Sequence, residues 1–204
     1  MTSSSTRAPF LVAGHLAIDF LNSRATPGGV LIDWLRDGPS MMGWAASLAL
    51  FPEADLHALQ RSVAPARLNE AATEARELRE KLREELSEPA RLRTNSRIWR
   101  SLNELLARGS AFCALRKDED GPRLDVHERL DQSGQLLVPI AKAICRLIVE
   151  EDLTRVHACE GVGCSLWFLD QTKAGRRRFC SPSVCGNRMK VAAFRSRQGS
   201  RSGD

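Results

Sequence analysis

Apolar residues recur every three or four positions through much of the chain, the spacing of helices with one buried face. The clearest stretch is ARLNEAATEARELREKLREELSE, where Leu68, Ala71, Ala75, Leu78, Leu82 and Leu86 form one stripe. Glu77, Glu80, Lys81 and Glu84 fall on the opposite, wet side, and Pro89 is expected to stop the helix. Ile98, Leu102, Leu105 and Leu106 repeat the pattern, with Gly109 as a C-terminal cap. A third helix runs through Ile140, Ile144, Leu147 and Ile148, its regular part beginning near Pro139.

Other segments follow different rules. FLVAGHLAIDFLN (10–22) is apolar but fits strand and helix equally, and Pro27 to Gly29 should form a loop. Asp37-Gly38-Pro39 breaks a Trp- and Met-rich stretch, after which MMGWAASLALF reads as a short buried helix. AFCALRKDEDGPRLDVHERL alternates apolar and polar residues about a polar turn, a hairpin signal. The pattern therefore predicts an α+β fold, mostly helical, with a small β-hairpin. Residues 1–9 are Ser/Thr-rich and residues 199–204 polar, so both ends are expected to be disordered.

Composition narrows the class. With 204 residues, 43% hydrophobic and 27% charged, the chain suits one good core plus a small satellite module. No apolar run approaches the ~20 residues that span a bilayer, and no signal-peptide pattern opens the chain, so a cytoplasmic protein without a membrane partner is expected. The net charge of +5 is unevenly spread: residues 155–204 hold ten Lys and Arg against three acids, while the first 154 hold twenty against twenty-two. The positive charge belongs to the C-terminal segment.

That segment also holds four of the six cysteines, Cys159, Cys164, Cys180 and Cys185. Their spacing is C-x4-C, fifteen residues, C-x4-C. In a reducing compartment such a set reads as a metal site rather than a disulfide framework. Gly161 and Gly163 give the first pair its turn, and Ser181-Pro182 offers a helix start for the second. Four thiolates suit one structural zinc in a closed tetrahedron, which leaves no open position for hydrolysis. His157 is the alternative ligand. Cys113 and Cys145 stand alone in apolar settings and read as small core residues.

Basic residues crowd this site. Lys173, Arg176, Arg177 and Arg178 precede Cys180; Asn187, Arg188, Lys190, Arg195 and Arg197 follow Cys185 on an expected helix. One or two of these cations can offset the −2 formal charge of a four-thiolate zinc. The whole set is more than that needs, and arginine clusters beside a helix are the footprint of phosphate-backbone contacts.

At Cys185-Gly186-Asn187-Arg188 the sequence resembles the CGNR zinc finger. Trp167-Phe168-Leu169-Asp170 is similar to that family's aromatic-acidic strand, and Gly175 to Cys180 to its Gly-Arg approach to the third cysteine, with Phe179 in place of the usual tryptophan. Upstream, His15 to Ser23 resembles the opening of the ABATE domain, as do Glu77–Arg83, Ser101–Leu106 and the Pro139 helix its later elements. The resemblance covers about residues 11–198, and RATPGGVLIDWLRDGPSMMGWAASL follows it only loosely. It implies a sensing domain over 10–153, a zinc finger over 154–198, and a stress-linked bacterial transcription regulator with the finger on DNA.

Three functions compete on the sequence. The first is a nucleoid-associated regulator that binds double-stranded DNA, answers a small-molecule effector and works as a homodimer. An RNA- or protein-binding zinc-knuckle adaptor is the second, with Trp167, Phe168 and Phe179 stacking bases if exposed. The third is an enzyme, since His15, Asp19 and Asn22 lie close together and an apolar setting would raise the Asp19 pKa. No phosphate loop, nucleophile elbow or open metal site accompanies them, so Asp19 and Asn22 read better as backbone-capping or ligand-contacting residues. A non-enzyme is expected.

Overall fold

The computed structural model describes residues 8–26, 29–94 and 96–186. Seven α-helices are found among them: α1 (Leu16–Leu21), α2 (Gly38–Ser47), α3 (Glu53–Ser62), α4 (Pro65–Glu85), α5 (Pro89–Thr94), α6 (Ile98–Leu106) and α7 (Val138–Glu150). Three antiparallel two-stranded sheets join them: β1 (Arg24–Ala25) with β2 (Ile32–Asp33), β3 (Ala111–Asp118) with β4 (Gly121–Glu128), and β5 (Val156–Ala158) with β6 (Trp167–Leu169). The fold is α+β and mostly helical, as its periodicity implies.

Helix α4 is the spine, with α1, α2 and α6 packed along it and α7 against α1 and α6. Its stripe of Leu68, Ala71, Ala75, Leu78 and Leu82 is buried as the spacing requires. Three arginines one turn apart then fasten the loop after α1. Arg76 donates to Leu35 O and Arg36 O at 2.7 and 2.8 Å, and Arg83 to Leu21 O at 2.8 Å. Between them Arg79, 1% exposed, forks onto Asp33 at 2.9 Å through both terminal nitrogens and reaches Ser23 Oγ at 3.0 Å. A buried guanidinium needs such a full set of acceptors.

Several sequence expectations are corrected. Asp37-Gly38-Pro39 does not precede a helix at a distance; it starts one, because Asp37 Oδ1 accepts the Ser40 N–H at 2.8 Å and Pro39 fits the first turn. A Cβ on Gly38 would lie 2.6 Å from Leu68 Cβ, so α2 and α4 approach there only because the residue is glycine. Pro89 opens α5 rather than merely ending α4. Helix α3 was not foreseen, since only Leu56 and Leu59 are buried in it. Cys113 is exposed on the hairpin, not a core residue, and Cys145 is half-buried. No helix among the described residues is long and apolar enough to cross a membrane.

Candidate metal centre and the loop beside it

Strands β5 and β6 form the base of the C-terminal segment, pairing Val156 with Leu169, His157 with Phe168 and Ala158 with Trp167. Cys159 follows β5 directly. Its turn is tight: a Cβ on Gly161 would stand 2.9 Å from Cys185 Sγ and 3.4 Å from Cys159 Sγ, so glycine lets the backbone run against the sulfurs. Cys180 precedes, and Cys185 lies within, a single wide turn, Pro182–Gly186, which Ser181 caps by accepting the Val184 N–H on Oγ at 3.0 Å.

The four sulfurs of Cys159, Cys164, Cys180 and Cys185 lie within 4.8 Å of one another. A tetrahedron with ~2.3 Å metal–sulfur bonds needs about 3.8 Å between sulfurs, so the donor set fits a zinc-like ion. Cys159 Sγ also accepts the Cys180 N–H at 3.2 Å and the Gly161 N–H at 3.4 Å, bonds that favour a thiolate. As bare thiols the group is mutually frustrated. The Cys180 thiol, then the Leu166 amide, bring Cys164 down to about 5 against burial, while Cys164 and burial together push Cys180 up and burial raises Cys185 to about 11. His157 stays outside the cluster, its ring 5.9 Å from that of Phe168.

The loop from Asp170 to Cys180 is organised by a residue the sequence left unassigned. Asp170, fully buried, accepts from Thr172 N at 2.9 Å, Thr172 Oγ1 at 2.6 Å and Arg177 N at 2.8 Å. Those bonds, with Thr172 Oγ1 foremost, hold its carboxyl down to about 2. The signal was the Asp-x-Thr spacing of an Asx turn.

The basic residues divide sharply. Lys173 and Arg176 are exposed and make no ion pair among the described residues. Arg178 is exposed but binds Glu160 Oε2 through Nε at 2.6 Å. Arg177 is turned inward: it is half-buried, its guanidinium 4.4 Å from the Phe168 ring centroid, and it donates to Phe179 O at 3.0 Å, Val12 O at 3.2 Å and Cys180 O. Asn187, Arg188, Lys190, Arg195, Arg197 and their expected helix lie outside the described residues, as does the tail from 199. Phe168 is buried and Trp167 and Phe179 half-buried, so Phe168 offers no stacking face.

His15, Asp19 and Asn22 are brought together by α1, and each makes a hydrogen bond to the backbone. His15 Nδ1 accepts the Ala17 N–H at 3.2 Å as the helix cap, and burial lowers its pKa. Asp19 accepts the Ala13 N–H at 3.2 Å, and burial raises its carboxyl to about 6. Asn22 pairs with the Trp167 backbone through both ends of its amide. Of the three, Asn22 ties this segment to the C-terminal one, while His15 and Asp19 bond locally, to Ala17 and Ala13. The metal module is thus not self-contained: Ala25, Phe10 and Val12 complete the small core around Cys159, Leu166, Phe168, Cys180 and Cys185.

Residues 14–151 match the ABATE model, described as a putative stress-induced transcription regulator. The chain belongs to that family. Residues 155–198 match the CGNR zinc finger, the segment that carries all four clustered cysteines of this ABATE protein. No curated protein matches the chain significantly.

Proposed function

We propose that this ABATE protein is a DNA-binding transcription regulator of the cytoplasm and nucleoid, and not an enzyme. One structural zinc per chain, held by Cys159, Cys164, Cys180 and Cys185, fixes the knuckle; the ion balances thiolate charge and supplies no reaction. The observation that carries the reading is the sorting of cations beside it. Arg177 and Arg178 are spent on the fold and on Glu160, while Lys173 and Arg176 are exposed, without an ion pair among the described residues, on a loop that Asp170 ties by hydrogen bonds to Thr172 and Arg177. Exposed cations on such a loop suit phosphates, and Arg188, Lys190, Arg195 and Arg197 extend the basic run, with Asn187 as a neutral hydrogen-bonding neighbour. The adaptor alternative loses ground because Phe168 is buried.

Effector sensing is placed away from His15, Asp19 and Asn22, each of which already bonds the backbone. Its best remaining place is an open apolar cleft of about 190 Å³ between α6 and α7, lined by Trp99, Leu102, Asn103, Cys145, Ile148 and Val149. A small apolar molecule bound there would raise the melting temperature.

DNA binding is tested by titrating a fluorescent random duplex with zinc-loaded protein across a salt series. A log K against log salt slope of about −3 to −5 is expected, falling by about two units in Lys173→Ala/Arg176→Ala. Salt-independent or undetectable binding by protein with one zinc per chain would reject the reading.

A further inference from the structure

Hairpin β3–β4 sorts its side chains onto two faces, because successive residues of a strand point opposite ways. Phe112↔His127, Ala114↔Asp125 and Arg116↔Arg123 share one face; Cys113↔Val126, Leu115↔Leu124 and Lys117↔Pro122 share the other. The first face is largely paired within itself, with His127 Nε2 buried and lacking a hydrogen-bond partner among the described residues. Phe112 stacks on His127 at 5.4 Å, and Arg123 Nε meets Asp125 at 2.7 Å. The second is bare: Leu115, Leu124 and Val126 are 74%, 65% and 70% exposed, and Cys113 is exposed beside them.

Single exposed apolar residues need no explanation, but four in adjoining cross-strand pairs do. A two-stranded hairpin is marginal in water unless a further strand, a helix or a partner covers its apolar face. Both outer edges of this one are also unpaired in the sheet order.

We propose that a second copy of this chain covers the patch, the two hairpins packing apolar face to apolar face about a two-fold axis. Two-fold contacts use one self-complementary patch, and a compact apolar square meets that need with itself. The ends of the face choose the direction. Lys117, at the turn end, has no ion pair among the described residues. Glu128, at the other end, meets Lys142 yet stays 35% exposed. Antiparallel stacking brings each Lys117 within reach of Glu128 of the second copy and sets the Leu115–Leu124 pair over the Cys113–Val126 pair. Parallel stacking would put lysine on lysine. Eight residues at ~3.4 Å on two strands ~4.8 Å apart make a face of roughly a few hundred Å², below the ~800 Å² per partner of a standard interface, which suits a weak dimer of about micromolar affinity. The inference stands apart from DNA binding, since association is read without DNA.

The test is sedimentation of the full, metal-loaded chain from about 1 to about 200 μM, bracketing micromolar dissociation. Wild type should pass from monomer to dimer. Leu115→Asp/Leu124→Asp should weaken association at least ~100-fold while far-UV circular dichroism and metal content stay unchanged. Ala114→Lys, on the largely paired face, should dimerise like wild type, and Lys117→Glu should weaken the dimer about tenfold. A monomer at every concentration, or a dimer indifferent to Leu115→Asp/Leu124→Asp, would overturn the proposal. A dimer indifferent to Lys117→Glu would overturn its antiparallel form.

Discussion

Asn22 and Trp167 are 145 positions apart, yet the side chain of one pairs with the backbone of the other as a strand would. Asn22 Nδ2 donates to Trp167 O at 2.8 Å and Asn22 Oδ1 accepts the Trp167 N–H at 2.7 Å. Asn22 is 2% exposed, so water cannot easily replace either bond. Neighbouring bonds repeat the theme: the Thr26 N–H reaches Ser165 Oγ at 2.8 Å and the Leu169 N–H reaches Ala13 O at 2.9 Å. Ala13, Asn22 and Thr26 thereby fasten the N-terminal segment to residues 165–169 of the finger.

Asn22→Ala should therefore destabilise the whole chain, by about 2–4 kcal/mol, because it orphans a buried donor and a buried acceptor together. Chemical denaturation of the metal-loaded protein checks this. Asn22→Asp should recover little at pH 7, since a carboxylate accepts from Trp167 N–H but repels Trp167 O.

Metal removal should loosen more than the finger. Residues between 10 and 26, with Gly29, pack on and hydrogen-bond to the cysteine module, so chelation, or Cys185→Ser, should raise amide exchange there as well as over 156–186. Hydrogen exchange followed by mass spectrometry reads both segments at once. The zinc site is expected to contribute on the order of 10 kcal/mol to its own folding. Unchanged protection over 10–26 would show the two regions to be independent.

Two carboxyls should tilt stability with pH in opposite senses. Asp19 titrates near 3.8 unfolded and about 6 folded, so the unfolded chain ionises first as pH rises. Its contribution falls from about pH 4 to pH 6 and is level above. Asp19→Asn, which keeps an acceptor for Ala13 N–H, should gain on wild type as pH rises, by up to about 2 kcal/mol at pH 8. Asp170, held to about 2, does the reverse: its stabilisation is present above about pH 4 and is lost as pH falls toward 2. Differences between variant and wild type carry these signals, because metal–thiolate bonds also weaken in acid.

Arginines close in sequence should differ in what they break. Arg177→Ala should lower the melting temperature by removing the contacts to Phe168, Val12, Phe179 and Cys180, whereas Arg176→Ala should leave it unchanged and weaken only DNA binding. Asp33→Ala should cost about 3–5 kcal/mol by leaving the buried Arg79 guanidinium without its forked partner. Thermal melts of the three variants separate these cases.

The sequence by itself determined whatever depends on near neighbours. Leu68 to Leu82 made α4 because a period of 3.6 aligns them on one face, and alternation about a polar turn made the β3–β4 hairpin. The C-x4-C pairs identified the metal-binding residues, since a thiol set must be supplied by chain turns of set length. Local rules also misled, at Pro89 and at Cys113, where a proline and an apolar setting allow more than one outcome. What tertiary structure alone decided is how distant groups are spent. Nothing local marks Asn22 as the clamp on Trp167, Arg177 as a plug over Phe168 while Arg176 is exposed, or the Leu115 face as bare. Each depends on which backbone passes nearby, because a polar side chain takes its role from the donors, acceptors and water that folding places around it.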